Sequence, residues 1–167
     1  MNTSYSIGKI RKSDAKEIYK LIKKSKTLDL NSQYLYLLLS THFKNSCAIA
    51  KHKNKIISLV LGYYLPNKPK TLFIWQVATN KKYRGKNLAF KLIDNIYKRK
   101  KIDSLITTVS PSNFASNRVF EKFAKSVDSK IKKSLYFQKE LFYNTHDDEI
   151  LYKIDIKKEK KWEYLRN

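Results

Sequence analysis

A chain of 167 residues, 42% hydrophobic and 13% aromatic, can bury one core and fits a single domain. One cysteine, Cys47, excludes an internal disulfide framework, and no stretch approaches the ~20 apolar residues of a membrane span. The net charge of +22 invites a nucleic-acid reading, but it rests on 31 Lys against 5 Arg scattered along the chain, whereas nucleic-acid interfaces favour the planar Arg fork. No zinc-ligand pattern and no aromatic RNA-binding motif accompanies the charge, so the lysines read as surface that draws anionic ligands. The opening MNTSYSIGKIRKSD has no apolar run of the signal-peptide kind, and a cytoplasmic protein is the expectation.

In chain order, Tyr5 to Arg11 alternates weakly and predicts a first strand. Ser13 or Asp14 offers a helix cap, and Ala15, Ile18, Tyr19, Leu21 and Ile22 follow at helical spacing, so 14–25 reads as a helix. Asn31 and Ser32 cap the apolar run YLYLLL, which predicts a second, well-buried helix over 32–42. CAIAK (47–51) and IISLVLGYY (56–64) read as strands joined by the polar turn HKNK, and Pro66 and Pro69 frame a loop. TLFIWQVAT (71–79) is apolar, β-branched and aromatic, as a central strand is. A loop leads to a helix over about 87–100 with Leu88, Leu92, Ile93 and Ile96 as its apolar stripe. DSLITTVS (103–110) is a strand ended by Pro111, and Ser112 and Asn113 cap a helix to about 126. Strands near 135–142 and at EILYKID (149–155) follow, then a charged tail over 157–167. This order predicts a mixed α/β sheet with helices packed on its faces, as one domain over 1–156.

Gly85 is one of only three glycines, and it stands where a strand hands over to a helix. Free backbone N–H groups and the macrodipole at a helix start favour an anion, and Lys82, Arg84 and Lys86 add full charges. A pyrophosphate suits such a loop; so does an ordinary strand-to-helix turn with no ligand.

RGKNLA (84–89) resembles the acyl-coenzyme-A loop of the GNAT superfamily of N-acetyltransferases, with the pattern Q/R-x-x-G-x-G/A. Arg84 and Ala89 match it, and Asn87 replaces the usual glycine, being the other residue that best tolerates positive φ. SNFASNRVFEKFA (112–124) resembles the family's second signature, with Asn113 on its Asn and Phe120 on its usual Tyr. That Tyr often serves the family as general acid, a role Phe120 lacks the proton to fill. TLDLNSQYLYLLLSTHF, TLFIWQVAT, TTVSPSNFAS and HDDEILYKI together resemble the diaminobutyrate acetyltransferases of ectoine synthesis, over about residues 7–156.

The resemblance implies the GNAT fold, a mostly antiparallel sheet with helices on both faces, and acetyl transfer from acetyl-CoA to the γ-amine of L-2,4-diaminobutyrate by direct attack in a ternary complex. A coenzyme site is implied at Val77, Ala78, Arg84, Gly85, Lys86, Asn87, Leu88, Ala89 and Asn113, with a homodimer as the assembly. A substrate with two amines needs acids: Asp29 and Glu149 are the expected partners, with Tyr34, Trp75 and Thr108 as further contacts. His146 or Glu149 is the expected base, since an alkyl ammonium near pKa ~10 must lose a proton before it attacks. Plainer roles compete: Asp29 as a helix cap, His146 as an exposed turn residue, Trp75 as core packing, Cys47 as an inert core thiol. HDDE lacks convincing metal-ligand spacing, and no metal is expected. Rival functions are the same fold acting on another amine (a polyamine, an amino acid, a protein N-terminus) and a basic nucleic-acid-binding module.

Overall fold

The computed structural model describes residues 4–26 and 28–156; the tail over 157–167 lies outside them. Seven strands, β1 (Ser6–Gly8), β2 (Ala48–His52), β3 (Lys55–Leu65), β4 (Lys68–Thr79), β5 (Ser104–Val109), β6 (Ile131–Phe137) and β7 (Glu149–Asp155), form one sheet in the order β1-β2-β3-β4-β5-β7-β6. Every pair is antiparallel except β4 with β5. The helices are α1 (Ala15–Ser25), α2 (Gln33–Thr41), α3 (Leu88–Arg99) and α4 (Phe114–Ser126).

Two apolar clusters sit on the two faces of the sheet. Ile18 and Ile22 of α1 and Tyr36 and Leu39 of α2 close over Ile49, Leu59, Leu61 and Ala78. Leu88, Leu92, Ile93 and Ile96 of α3 and Phe120 and Phe123 of α4 close over Leu72, Ile74, Leu105 and Ile154. Burying a side chain such as Phe123 fully is worth roughly 1.5–3 kcal/mol, so these stripes hold the layers together. The β4 run is apolar on both faces because it is covered on both.

Local chemistry sets the boundaries. Asp14 Oδ2 accepts from Arg11 N at 2.9 Å ahead of α1, and Lys26 at φ 55° ends that helix. Ser32 Oγ accepts from Leu35 N at 3.3 Å and caps α2. Lys53 and Asn54 both have positive φ, so β2 and β3 are joined by a two-residue turn of the type whose twist matches paired strands.

Four expectations are corrected. The first strand stops at Gly8, since a 3-10 turn at Lys12–Asp14 takes over the backbone bonds. Helix α2 is apolar all round but half-exposed: only Tyr36, Leu39 and Ser40 are buried, while Tyr34 and Leu37 face out. The loop around Pro66 and Pro69 shrinks to a tight turn, with Pro69 inside the start of β4, where a missing N–H is tolerated. The strand expected near 135–142 runs over Ile131–Phe137, and Lys139–Leu141 is a 3-10 turn. β6 is an edge strand exposed along nearly its whole length, so its sequence, IKKSLYF, carries no core-facing alternation to read.

Candidate active site

The single parallel pairing in the sheet is short. Thr71–Ile74 of β4 pair with Ser104–Thr107 of β5, and the ladder stops there. Beyond it β4 stays on β3 as far as Thr79, and β5 stays on β7 as far as Val109. The two strands therefore part, and a cleft opens between their C-terminal ends. Helices α3 and α4 follow those same ends, and antiparallel β7 begins beside them, so every chain segment that carries an expected site residue converges on this edge or on the α1–α2 connection next to it.

The backbone phase of β4 decides which groups face the cleft. Asn80 N donates to Ile57 O at 2.8 Å, so by alternation Ala78 and Gln76 spend their backbone groups on β3. Val77 N–H and C=O then point toward the cleft, while Ala78 is buried under the α1–α2 layer. Of these two adjacent residues, Val77 is the one whose backbone groups are turned away from β3.

A bulge re-aims β4 just before this point. Leu61 pairs with Gln76 and Gly62 with Ile74, so Trp75 is the extra residue. Gly62 is required there: a Cβ would stand 2.4 Å from Phe73 O. Trp75 is 37% exposed at the bulge, which excludes the core-packing role.

The basic loop follows. Asn80 Oδ1 accepts from Lys82 N at 3.0 Å and fixes a 3-10 turn over Lys81–Tyr83. Gly85 has φ +78° and Asn87 φ +57°, so both positions use the left-handed region that Gly and Asn tolerate best. Lys91 N to Asn87 O, 3.0 Å, is the first bond of α3, and the N–H groups of Leu88, Ala89 and Phe90 precede it. Leu88 is buried and anchors this turn, whose first residues include no acid. Lys82, Arg84 and Lys86 are exposed around it. Arg84 Nε reaches Thr79 O at 3.4 Å, and Lys86 Nζ lies 5.5 Å from the Tyr83 ring centre. The result is an exposed turn that carries N–H donors and cations together. Asn113 is engaged locally, its Oδ1 accepting from Ser116 N at 3.1 Å as the cap of α4.

The other side of the cleft is acidic. Glu149 opens β7, and its Oε1 accepts from Ser110 Oγ at 3.0 Å. His146 Nε2 stands 3.9 Å from the same oxygen. His146 Nδ1 is 2.6 Å from Asp147 O; a carbonyl only accepts, so Nδ1 holds the proton and Nε2 is the basic nitrogen. Phe142 stacks on the imidazole at 3.8 Å and 8°. This ring is held, unlike that of a free turn residue. Asp147 accepts from Ser112 Oγ at 2.8 Å and Asp148 from Lys139 N at 2.8 Å, so both serve the loop. Among the described residues no three His, Cys, Asp or Glu side chains gather as a metal site.

Asp29 sits in the α1–α2 connection. Its carbonyl accepts from Gln76 Nε2 at 2.9 Å, which ties this connection to the bulged part of β4. Ser32 caps α2, so Asp29 is not a cap, and its exposed carboxylate has no partner among the described residues. Tyr34, on the first turn of α2, is 68% exposed and joins none of the other site residues through a polar contact. Thr108 is half-buried on β5, opposite Leu151 of β7. Phe120 is buried in the α3–α4 core. Cys47 is also buried, and burial pushes its thiol up to about 11, so it carries no thiolate at neutral pH.

Sequence reasoning missed Ser110, Phe142 and Gly62, whose roles depend on partners far along the chain. It missed Gln76 as well, though an amide within an apolar strand signals a buried polar group that needs partners.

The model of the Acetyltransferase (GNAT) family matches residues 15–124. The L-2,4-diaminobutyric acid acetyltransferase of Streptomyces anulatus is 39% identical over 155 residues, 89% of this chain and 88% of that one. The Halomonas elongata enzyme of the same name is 38% identical over 89% of this chain and 79% of its own. Among solved structures, the diaminobutyrate acetyltransferase EctA from Paenibacillus lautus, in complex with its substrate L-2,4-diaminobutyric acid and coenzyme A, superimposes with a TM-score of 0.89 at 32% identity, covering 93% of this chain and 96% of that one. A cleft between parting parallel strands, a donor-rich helix start on one flank and a held carboxylate and imidazole on the other thus belong to a member of the GNAT acetyltransferase family, and within it to a relative of the diaminobutyrate acetyltransferases.

Proposed function

We propose that the protein transfers the acetyl group of acetyl-CoA to the γ-amine of L-2,4-diaminobutyrate, the acetylation step of ectoine synthesis. The observation that carries this reading is the pairing of two oppositely charged flanks across one cleft, in a chain 39% identical to an enzyme of that name over nearly its whole length.

The residues fit the coenzyme. The N–H groups at the start of α3, with Lys82, Arg84 and Lys86, suit a pyrophosphate, and left-handed Gly85 and Asn87 let it approach the backbone. The gap between β4 and β5 suits an extended arm that bonds Val77 as a further strand would. Acetyl-CoA supplies the activated thioester.

The chain's own groups then handle the amine. Asp29 faces the α-ammonium at the edge of the cleft, and Trp75 walls the pocket, with Tyr34 and Thr108 as polar contacts. Glu149, fixed by Ser110, takes the proton from the γ-ammonium directly or through a water, and basic His146 Nε2 beside it can share that proton. The free amine forms the new C–N bond as the C–S bond breaks. In this reading Val77 C=O takes the hydrogen bond of the arm, and Val77 N–H is the donor for the negative charge that builds on the carbonyl oxygen. Phe120 donates nothing, so the departing thiolate takes its proton from water or from the newly acylated nitrogen.

A homodimer is the assembly in this reading, supported by the exposed edge strand β6 with Leu135, Tyr136 and Phe137 on it. The cytoplasm is the location in this reading; among the described residues no helix is long and apolar enough to cross a membrane.

The test is release of CoA thiol from acetyl-CoA by purified protein, comparing L-2,4-diaminobutyrate with ornithine, lysine, spermidine and a peptide N-terminus. The expected result is strong preference for diaminobutyrate with the product acetylated on the γ-nitrogen. Turnover of another amine instead would replace the substrate and leave the coenzyme site standing.

A further inference from the structure

Gln76 lies on the central strand, 4% exposed, one residue after the bulge. Its two amide atoms have different fates. Nε2 donates to Asp29 O at 2.9 Å, and Oε1 is buried with no hydrogen-bond partner among the described residues. The carbonyl of Asp29 fixes this orientation, because the reversed amide would set oxygen against oxygen. An orphaned acceptor in a buried place is costly and calls for a donor. Its surroundings are those of the amine site: bulged Trp75 precedes it in sequence, and the Asp29 segment, whose carboxylate is unpaired, is the group it holds.

An ammonium is all donor and no acceptor, and so complements both an unpaired carboxylate and an unpaired amide oxygen. Resting on the diaminobutyrate reading above, we infer that Gln76 sets selectivity for the acceptor: Nε2 holds the Asp29 segment in place, and Oε1 accepts a hydrogen bond from the non-reacting α-ammonium of the substrate. Asp29 supplies charge, which any cationic acceptor satisfies. Gln76 supplies a directed acceptor at a fixed depth, which only an acceptor with a second amine near the reacting one can reach. A site built to hydrogen-bond a group discriminates strongly against the analogue that lacks it, because its own polar atom is left unpaired.

The experiment compares wild type, Gln76→Met and Gln76→Glu on L-2,4-diaminobutyrate and on 4-aminobutyrate, which keeps the reacting amine and lacks the α-amine. In Gln76→Met, KM for diaminobutyrate rises about 10- to 100-fold, while KM for acetyl-CoA and the thermal midpoint stay near wild type. The wild-type preference for diaminobutyrate over 4-aminobutyrate, as a ratio of kcat/KM, falls at least 10-fold. Gln76→Glu keeps an acceptor and loses the tether to Asp29 O, so it retains more of that preference than the Met variant. A loss of that preference in Gln76→Glu as large as in Gln76→Met would reduce Gln76 to a structural tether of Asp29 and overturn the inference, as would an unchanged ratio in Gln76→Met. Inactivity of the wild type on diaminobutyrate would instead sink the functional reading on which the inference rests.

Discussion

The two flanks of the cleft are built in different ways. The basic flank is one continuous segment, residues 80–90, whose turn, left-handed positions and helix start follow one another along the chain. The acidic flank is assembled from three places: the α1–α2 connection with Asp29, the end of β5 with Ser110, and the approach to β7 with His146 and Glu149. A phosphate can be held by backbone donors of a single loop, because N–H groups exist at every helix start. Two amines of a small molecule need carboxylates on opposite sides, and no single loop provides those. The donor side of such an enzyme is therefore local and general, and the acceptor side is distributed and particular.

The sharpest way to break this contrast is on the acidic flank. Glu149→Gln should lower kcat/KM for diaminobutyrate by about 100-fold or more, the usual worth of a positioned base, while leaving KM for acetyl-CoA within a small factor. Steady-state kinetics with each substrate varied in turn would measure it; unchanged kcat/KM would remove Glu149 from the mechanism.

The bulge that serves both flanks is the next target. Gly62→Ala drives a Cβ into Phe73 O, and a backbone atom cannot swing aside. Stability should fall by at least ~2 kcal/mol, lowering the thermal midpoint by about 5 °C or more by calorimetry.

Alkaline stability probes the wall behind the bulge, where Cys47 Sγ and Ser46 Oγ both bond Gly62 O. The folded thiol keeps its proton up to about pH 11, whereas the unfolded one releases it near ~8.5. Above that lower value the unfolded chain binds fewer protons, so stability falls as pH rises, and below it the contribution is constant. Between pH 8 and 10 the advantage of wild type over Cys47→Ala should therefore narrow by about 2 kcal/mol in urea titrations.

The smallest effect belongs to the basic flank. Gly85→Ala meets no atom within 4 Å, so its only penalty is the left-handed backbone, about 1–2 kcal/mol. If the free loop relaxes and coenzyme binding draws it back, KM for acetyl-CoA should rise about 5- to 30-fold with little change in the thermal midpoint.

The same contrast explains what could be read from the chain. Helices α1, α3 and α4 declare themselves because their apolar stripes recur at the helical period and face a core. The loop at 84–89 is legible because its geometry is local, and the left-handed Asn87 follows from the residue type. β6 is illegible as an exposed edge, and the half-exposure of α2 is hidden because YLYLLL is apolar on every side. Ser110 on Glu149 and Phe142 on His146 are contacts of tertiary structure, and their residue types alone carry no signal of it.

The short β4–β5 ladder also bears on how the molecule assembles. β1 to β4 are antiparallel neighbours in sheet order, with β2, β3 and β4 joined by tight turns, whereas within the sheet β5, β7 and β6 join this half through the four parallel rungs between β4 and β5. Loop closure for that parallel step spans all of α3, so its entropy is spent before its contacts form. The β2–β4 meander is thus expected to gain amide protection first in pulse-labelled hydrogen exchange, with β5–β7 locking later. The substrate cleft, lying on the seam between the two halves, would be among the last features of the enzyme to exist.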